Sequence, residues 1–518
     1  MSQALIAALQ NPALYPHPVE SFQVIETHIS WVLLTGPYVY KIKKPMNFGF
    51  LDFSELSGRE HFCQEELRLN QRLTHDLYLQ VLPITGSHEA PQLGGEGPAI
   101  EYALQMRQFP QSNLLSTLQA NGELTGEHVD AMARQIAAFH LDTPVVPAEN
   151  EAGTPQAVMA PVEQNFEQIR GFLKETADLQ QLDALQAWAQ ASFARLQPLL
   201  LARKAEGFIR ECHGDIHLGN ATVIDGEVVI FDCIEFNEPF RFTDVYADVG
   251  FLAMDLEDRG LKSLARRFVS QYLELTGDYR GLELLNFYKA YRALVRAKVA
   301  LFGLTPESDA VQRATTFKQY RRYANLAESY SAIPSRFLAI TSGVSAVGKS
   351  YVAMRMVDAL GAVRLRSDVE RKRLFGEQQG DNLLQSGIYS LDASVKTYQH
   401  LHEVAEVILR AGFPVAIDAT YLKHHQRQQA AQVAETTGVP FLILDCNAPD
   451  AVLKAWLEQR QAEQTDVSDA TLEVIEAQQA SREPLTAEEL VLSKRVETNE
   501  SGSLDKLVEQ IRQRLPGL

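Results

Sequence analysis

At 518 residues the chain is too long for one ordinary core, so two or three domains are predicted. Hydrophobic residues make up 46% and charged residues 22%, a globular rather than disordered composition, and the formal net charge of −18 argues against bulk, sequence-independent nucleic-acid binding. Four scattered cysteines without a CxxC pair, no signal-peptide pattern at the N-terminus and no apolar run of bilayer length predict a reduced, cytoplasmic protein without a zinc site or a membrane partner.

The first predicted elements are three strands at 22–27, 30–36 and 38–45, the last two joined by a turn at Thr35-Gly36-Pro37. Alternation along the third puts Lys41 and Lys43 on one face. A strand lysine usually just meets solvent, so only its place relative to the other motifs gives it meaning. A helix is predicted over 54–73 and carries Glu65 and Glu66. No G-x-G-x-x-G loop lies between the first strands; Thr27-His28-Ile29-Ser30 stands there instead. Residues 101–110 read as a strand running into an extended segment, and the pattern is then mostly helical to residue 330. One helix in that stretch has Thr125 as its predicted N-cap and ends at His140.

The segment 212–236, CHGDIHLGNATVIDGEVVIFDCIEF, organises this first half. Asp215 and Asn220 have the spacing of the pattern H-R-D-x-x-x-x-N. Two short β-branched runs flank Asp225-Gly226, a strong hairpin signal, and the second run ends on Asp232. The hairpin brings Asn220 and Asp232 together at its open end. Phosphoryl transfer needs such a set: Asp215 to accept the proton of an attacking hydroxyl, Asn220 and Asp232 to hold Mg²⁺. An Asp-capped turn and an ordinary hairpin would use the same residue types. Their co-occurrence favours the chemical reading.

HGDIHLGN followed by VIFDCIEF resembles the aminoglycoside phosphotransferase family, which shares the protein-kinase fold. The likeness covers residues 25–326, although Cys233-Ile234 stands where kinases carry Phe-Gly after the metal aspartate. It implies a bilobal kinase-like α+β fold with an N-lobe over 1–110 and a helical C-lobe over 111–330. It implies that Lys41, with Lys43 as second choice, binds ATP phosphates, and that Glu66, in preference to Glu65, pairs with that lysine. Adenine would meet backbone groups near Met106 to Gln108, and the Ser30 hydroxyl would cover the phosphates. Asp244 and Asp248 resemble the family's structural aspartates that brace the catalytic loop. The helix 286–301 carries Arg292 and Arg296 one turn apart, with Tyr288 a turn earlier. If it lines the acceptor cleft, a small anionic hydroxyl acceptor fits better than a polycation; alternatively, these arginines pair with Asp244 or Asp248.

After a short linker a second fold begins. A strand at 337–341 leads into Gly343-Val344-Ser345-Ala346-Val347-Gly348-Lys349-Ser350 and a helix, the context that G-x-x-x-x-G-K-S requires. Backbone N–H groups of this loop and the helix N-terminus cradle a β-phosphate; Lys349 reaches the β- and γ-phosphates and the Ser350 hydroxyl ligates Mg²⁺. The next strand ends before Ser367-Asp368, making Asp368 a candidate general base or merely a helix cap. Asp418 ends another buried strand and is a candidate for the Mg²⁺ shell. Ala419-Thr420 comes after it rather than a water-polarising glutamate, so transfer to an acceptor is favoured over hydrolysis. Arg427 and Arg460 are candidate phosphate-binding arginines or surface residues. Residues 337–518 resemble P-loop kinases related to zeta-toxin and polynucleotide kinase, an AAA-type ATP-binding α/β fold with a parallel sheet over 336–518.

The sequence therefore predicts two MgATP sites on one chain, each phosphorylating a hydroxyl. Two alternatives stand beside it. The P-loop half acts on nucleic-acid ends or a nucleotide-sugar, helped by a basic groove at Arg366, Arg371, Lys372 and Arg373, or one half is a nucleotide-sensing regulatory module.

Overall fold

The computed structural model describes residues 3–47, 49, 51–74, 76–332, 335–376, 390–463 and 471–515, with side chains at 460–463 left out. The chain divides into two compact units, Met1–Asp255 with Tyr291–Ala324, and Leu256–Ala290 with Asn325–Leu518.

In the first unit a six-stranded antiparallel sheet has the order β1-β2-β3-β6-β4-β5, formed by β1 (Gln23–Glu26), β2 (Ser30–Leu34), β3 (Tyr38–Lys43), β4 (Tyr78–Gly86), β5 (Pro91–Leu93) and β6 (Glu101–Arg107). Tyr40 and Ile42 point from β3 into a core with Leu5, Ile6, Leu33 and Ile84. Period-2 alternation therefore turns Lys41 and Lys43 to the other face, toward the helix Leu56–Gln71. The helix Gly126–Asp142 starts as predicted, with the Thr125 side chain accepting from the His128 amide.

The chain then makes β7 (Ile209–Glu211) and the hairpin β8 (Ala221–Ile224) and β9 (Glu227–Ile230), before β10 (Phe242–Asp244) returns antiparallel to β7. Asp225 and Gly226 both take positive φ, 52° and 86°, the two left-handed residues of a type I′ turn. That turn sets the hairpin register, and its open end continues with the Phe231 amide donating to the Asn220 carbonyl at 3.0 Å.

The second unit is a five-stranded parallel sheet in the order β12-β13-β11-β14-β15: β11 (Leu338–Ser342), β12 (Val363–Arg366), β13 (Val415–Asp418), β14 (Phe441–Asn447) and β15 (Ser493–Glu497). Every residue of β11 and β13 is buried, which explains why both read as unbroken apolar runs rather than alternating ones. The helix Lys262–Thr276 packs within this unit. Its Ser270 hydroxyl accepts from the Arg364 amide at 3.1 Å, and its Glu274 carboxylate accepts from Arg364 at 2.8 Å and Arg366 at 3.1 Å. Among the described residues no helix is long and apolar enough to cross a membrane.

Candidate active sites

In the first unit β3 and the helix Leu56–Gln71 build one charge network. The Lys41 ammonium donates to Glu66 Oε1 at 2.7 Å and to Asp232 Oδ1 at 2.9 Å. Lys43 donates to Glu66 Oε2 at 2.6 Å and to Glu235. Glu66 is fully buried between the two lysines. Burial alone would raise its pKa, but the Lys41 and Lys43 charges outweigh burial and bring it down to about 2. Burial likewise disfavours the Lys41 ammonium, and Asp232 and Glu66 more than offset that, holding it well above the usual lysine value. Lys41, not Lys43, lines the cleft beside Asp232. Glu65 instead pairs with Arg68 on the helix surface. Glu235, buried against Lys43, had no sequence signal, because its role depends on a turn that the motif does not encode.

The catalytic-loop segment is held from below by Asp248. One oxygen accepts the His213 amide at 2.8 Å and the other the Gly214 amide at 2.9 Å, while His140 approaches at 3.3 Å. His140, Cys212 and Asp248 lie within ligand distance of one another, yet both Asp248 oxygens are committed to this bracing. Asp244 makes a separate bidentate pair with Arg203 at 2.7 and 3.0 Å. Gly214 has φ +89°, and a Cβ there would come within 3.2 Å of the Phe240 carbonyl and Ile234, so the close turn requires glycine.

Asp215 leaves this turn toward the cleft. The Asn220 side-chain amide donates to its carbonyl at 3.0 Å and to its Oδ2 at 3.1 Å, and His217 lies 3.5 Å away. Burial would raise the Asp215 pKa; His217, then Arg296 and His213, overcome it and bring the group to about 2. Asp232 sits at φ +67°, rare for a non-glycine residue. It is held there by its amide donating to the Tyr78 hydroxyl at 3.2 Å and by the next amide, Cys233, donating to Asn70 Oδ1 at 2.9 Å. The Asn220 amide nitrogen is turned to Asp215, and the Asn220 amide oxygen and the Asp232 carboxylate are hard oxygen donors of the kind that suits Mg²⁺.

One sequence expectation meets a different geometry. Ser30 is fully buried, and Ile29 lines the cleft in its place. The Arg107 and Gln108 amides donate to the Leu77 and Pro37 carbonyls at 2.8 and 3.0 Å. Arg292 and Arg296 also part company. Arg292 lines the cleft and makes no pair with Asp244 or Asp248, whereas Arg296 lies beside Tyr323 and Asp215.

In the second unit the loop 343–350 joins β11 to the helix Lys349–Leu360. Gly343, Ala346 and Gly348 take φ +153°, +64° and +85°, which curls successive amides inward. A Cβ on Gly343 would fall 2.8 Å from the Cys446 carbonyl. Val347 is buried in the core, and its carbonyl accepts from the Thr498 hydroxyl at 2.7 Å. Lys349 Nζ donates to the Val344 carbonyl at 2.7 Å, and Ser350 begins the helix with it. The Ser345 amide of this loop donates to Gln478 Oε1 at 2.7 Å. Gln478 lies on the helix Leu472–Ser481. Only the fold brings it here.

Asp418 ends β13, next to β11, and Asp368 lies in the first turn of the helix Ser367–Phe375. The cap of that helix is Arg366, without a side-chain cap bond, so Asp368 is not the N-cap. Burial, then the neighbouring Asp418, raise the Asp368 pKa, with Lys349 opposing them. Arg427 is buried in a two-point pair with Glu489 at 2.8 and 3.0 Å, a structural engagement of its guanidinium. The side chain of Arg460 lies outside the described residues. Of the expected basic groove, Arg366 pairs with Glu274, Arg373 pairs with Glu370, and Arg371 is buried with its Nη1 3.4 Å from the Ser394 hydroxyl. Tyr351, Arg355 and the 498–505 loop enclose a further cavity of about 920 Å³ beside the helix after the phosphate loop.

Residues 56–285 match the model of the phosphotransferase enzyme family, and residues 338–485 match that of an AAA domain. Uncharacterized proteins of Mycobacterium tuberculosis (strain H37Rv) and Mycobacterium bovis are each 29% identical over 475 residues, covering 90% of this chain and 92% of theirs. Among solved structures, a choline/ethanolamine kinase family protein from Mesorhizobium loti is 14% identical, covering 64% of this chain and 96% of its own at a TM-score of 0.40. A gluconokinase from Sinorhizobium meliloti 1021 is 18% identical, covering 35% of this chain and 98% of its own at 0.25. The chain is thus a kinase-type enzyme, with a phosphotransferase-like fold in its first part and a P-loop kinase-like fold in its second.

Proposed function

We propose that the chain is an ATP-dependent phosphotransferase with two MgATP sites, each moving a γ-phosphoryl group to the hydroxyl of a small acceptor, and that it works in the cytoplasm. The observation that carries this reading is Lys41 joined at once to Glu66 and Asp232, in the cleft that Asp215 also lines. In that arrangement Lys41 orients the phosphates, and Asn220 and Asp232 hold Mg²⁺, which supplies charge neutralisation when bound. The acceptor oxygen forms its bond to the γ-phosphorus as the bond to the bridging oxygen breaks and ADP leaves. The acceptor proton passes to the Asp215 carboxylate. A group with a pKa of about 2 is a weak base, so Asp215 chiefly orients the hydroxyl and takes its proton late.

In the second unit, loop amides of Gly343, Ser345, Ala346, Val347 and Gly348 with Lys349 would hold the phosphates, Ser350 and Asp418 the metal, and Asp368 would be the base. A general base gains from a raised pKa, which Asp368 has through burial and Asp418. Nucleic-acid ends are the weaker acceptor choice here, since Arg366 and Arg373 are taken up by Glu274 and Glu370.

Labelled ATP and a metabolite extract test the whole reading. Lys349→Ala should remove one set of labelled products and Asp215→Asn another. If both variants match wild type, the proposed sites are not the sites of transfer.

The contact between Gln478 and Ser345 favours one second reading, in which the P-loop half senses nucleotide and regulates the first unit. Asp215→Asn would then abolish all transfer, and Lys349→Ala would only shift its regulation. On either reading Gln478 competes with a phosphate oxygen for one amide. Gln478→Ala should tighten ATP binding to this unit roughly threefold to tenfold by titration, the worth of one neutral hydrogen bond. Unchanged or weaker binding would show that Gln478 does not compete with the nucleotide.

A further inference from the structure

The cleft of the first unit encloses about 270 Å³. Besides Lys41, Asp215 and Asp232 it is lined by Phe240, Phe251, Tyr291 and Phe302, and by three residues with nitrogen donors, Asn165, Arg292 and Lys298. Arg292 is 4% exposed, and its Nε has no hydrogen-bond partner. Its guanidinium is sandwiched in place by aromatic rings, 4.8 Å from the centroid of Phe251 and 5.2 Å from that of Tyr291. Asn165, 1% exposed, has an unpartnered Nδ2. Lys298, 9% exposed, has no ion pair among the described residues.

Buried donors are normally satisfied, and a buried cation is normally paired. Two unmatched buried donors and an ammonium without an ion pair, all on residues lining one cavity, therefore describe the complement of a missing group: an oxyanion. The carboxylates in the cleft do not supply it. Asp232 is engaged by Lys41, Glu235 by Lys43, and Asp215 by Asn220 and His217. Burial also pulls the Lys298 pKa down to about 8, which an anion beside it would reverse.

We infer that Arg292, Asn165 and Lys298 form an oxyanion subsite, and that the acceptor of the first unit is a small alcohol carrying a carboxylate or phosphate group. This rests on the phosphotransferase reading of the same cleft. The anionic group docks at Arg292, Asn165 and Lys298 and leaves a hydroxyl for Asp215. A cavity of this size lies at the small end of ligand pockets, which suits a small acceptor. Arg292 and Lys298 also set the reading apart from cationic acceptors, which they would repel.

The test uses the full chain and an extract split on an anion exchanger. Each fraction is offered with labelled ATP to wild type and to Asp215→Asn. The product that Asp215→Asn fails to make should come from the retained anions, and phosphatase treatment of that fraction then separates the two sources. Loss of the product after treatment identifies a phosphate ester, survival a carboxylate. With the fraction as acceptor, Arg292→Met and Lys298→Met should each raise the half-saturating amount roughly tenfold to a hundredfold, the worth of a charge-assisted hydrogen bond. Arg292→Lys should recover part of the loss, and circular dichroism of all variants checks folding. An Asp215-dependent product arising from the unretained fraction overturns the subsite, as do unchanged half-saturation values in folded variants. If wild type and Asp215→Asn give the same products from the whole extract, the phosphotransferase reading itself fails instead.

Discussion

Asp215→Asn should lower the turnover of the first unit by about 10² to 10⁴, the range lost when a positioned proton acceptor is removed. The asparagine keeps the shape and the contact to Asn220, so ATP binding and the melting temperature should stay near wild type. The pH profile gives a second check. Because Asp215 has a pKa of about 2, it stays ionised from neutral pH down to well below 5, and it should put no acidic limb on the rate in that interval. A turnover that survives the substitution within a few-fold would remove Asp215 from the mechanism, and a limb near pH 6 would assign proton transfer to another group.

Glu66→Ala should produce the largest loss of stability. Glu66 is the shared counter-charge of two lysines, one of them almost fully buried. Lys41 and Lys43 keep Asp232 and Glu235 as counter-charges, so what is lost is one charged hydrogen bond from each, about 1.5–3 kcal/mol apiece. For a domain of this size that is on the order of 10 °C in the first thermal transition. The same carboxylate gives an acid dependence. Its folded pKa lies below its usual 4.5, so its contribution is fully present above that value and fades as pH falls from 4.5 toward 2. A Glu66→Ala chain that melts with wild type would mean that the lysines are satisfied elsewhere.

The parts of both sites that could be read from sequence are those whose geometry is local. Asp225-Gly226 fixes a two-residue turn, and the turn alone brings Asn220 and Asp232 together. The phosphate loop is equally local, with a buried strand before it and a helix after it. What could not be read depends on the meeting of distant segments. Nothing near Lys298 or Asn165 in the chain says that both face a cavity without partners. Gln478 reads as an ordinary polar helix residue until its helix is seen against Ser345. The Arg427 side chain illustrates the reverse error: its residue type fits phosphate binding, but Glu489 takes it up from sixty-two positions away.

The helix Lys262–Thr276 falls inside the stretch matching the phosphotransferase family, yet Ser270 and Glu274 anchor it on β12 of the second unit. The two compact units are consequently interleaved along the backbone rather than strung end to end. Excision at the 331–336 linker would strip that sheet edge of its cover and leave Arg364 without its carboxylate. An inert fragment beginning at 336 would thus report a damaged sheet edge, and saying whether the nucleotide loop is a catalyst or a sensor requires point substitutions in the uncut polypeptide.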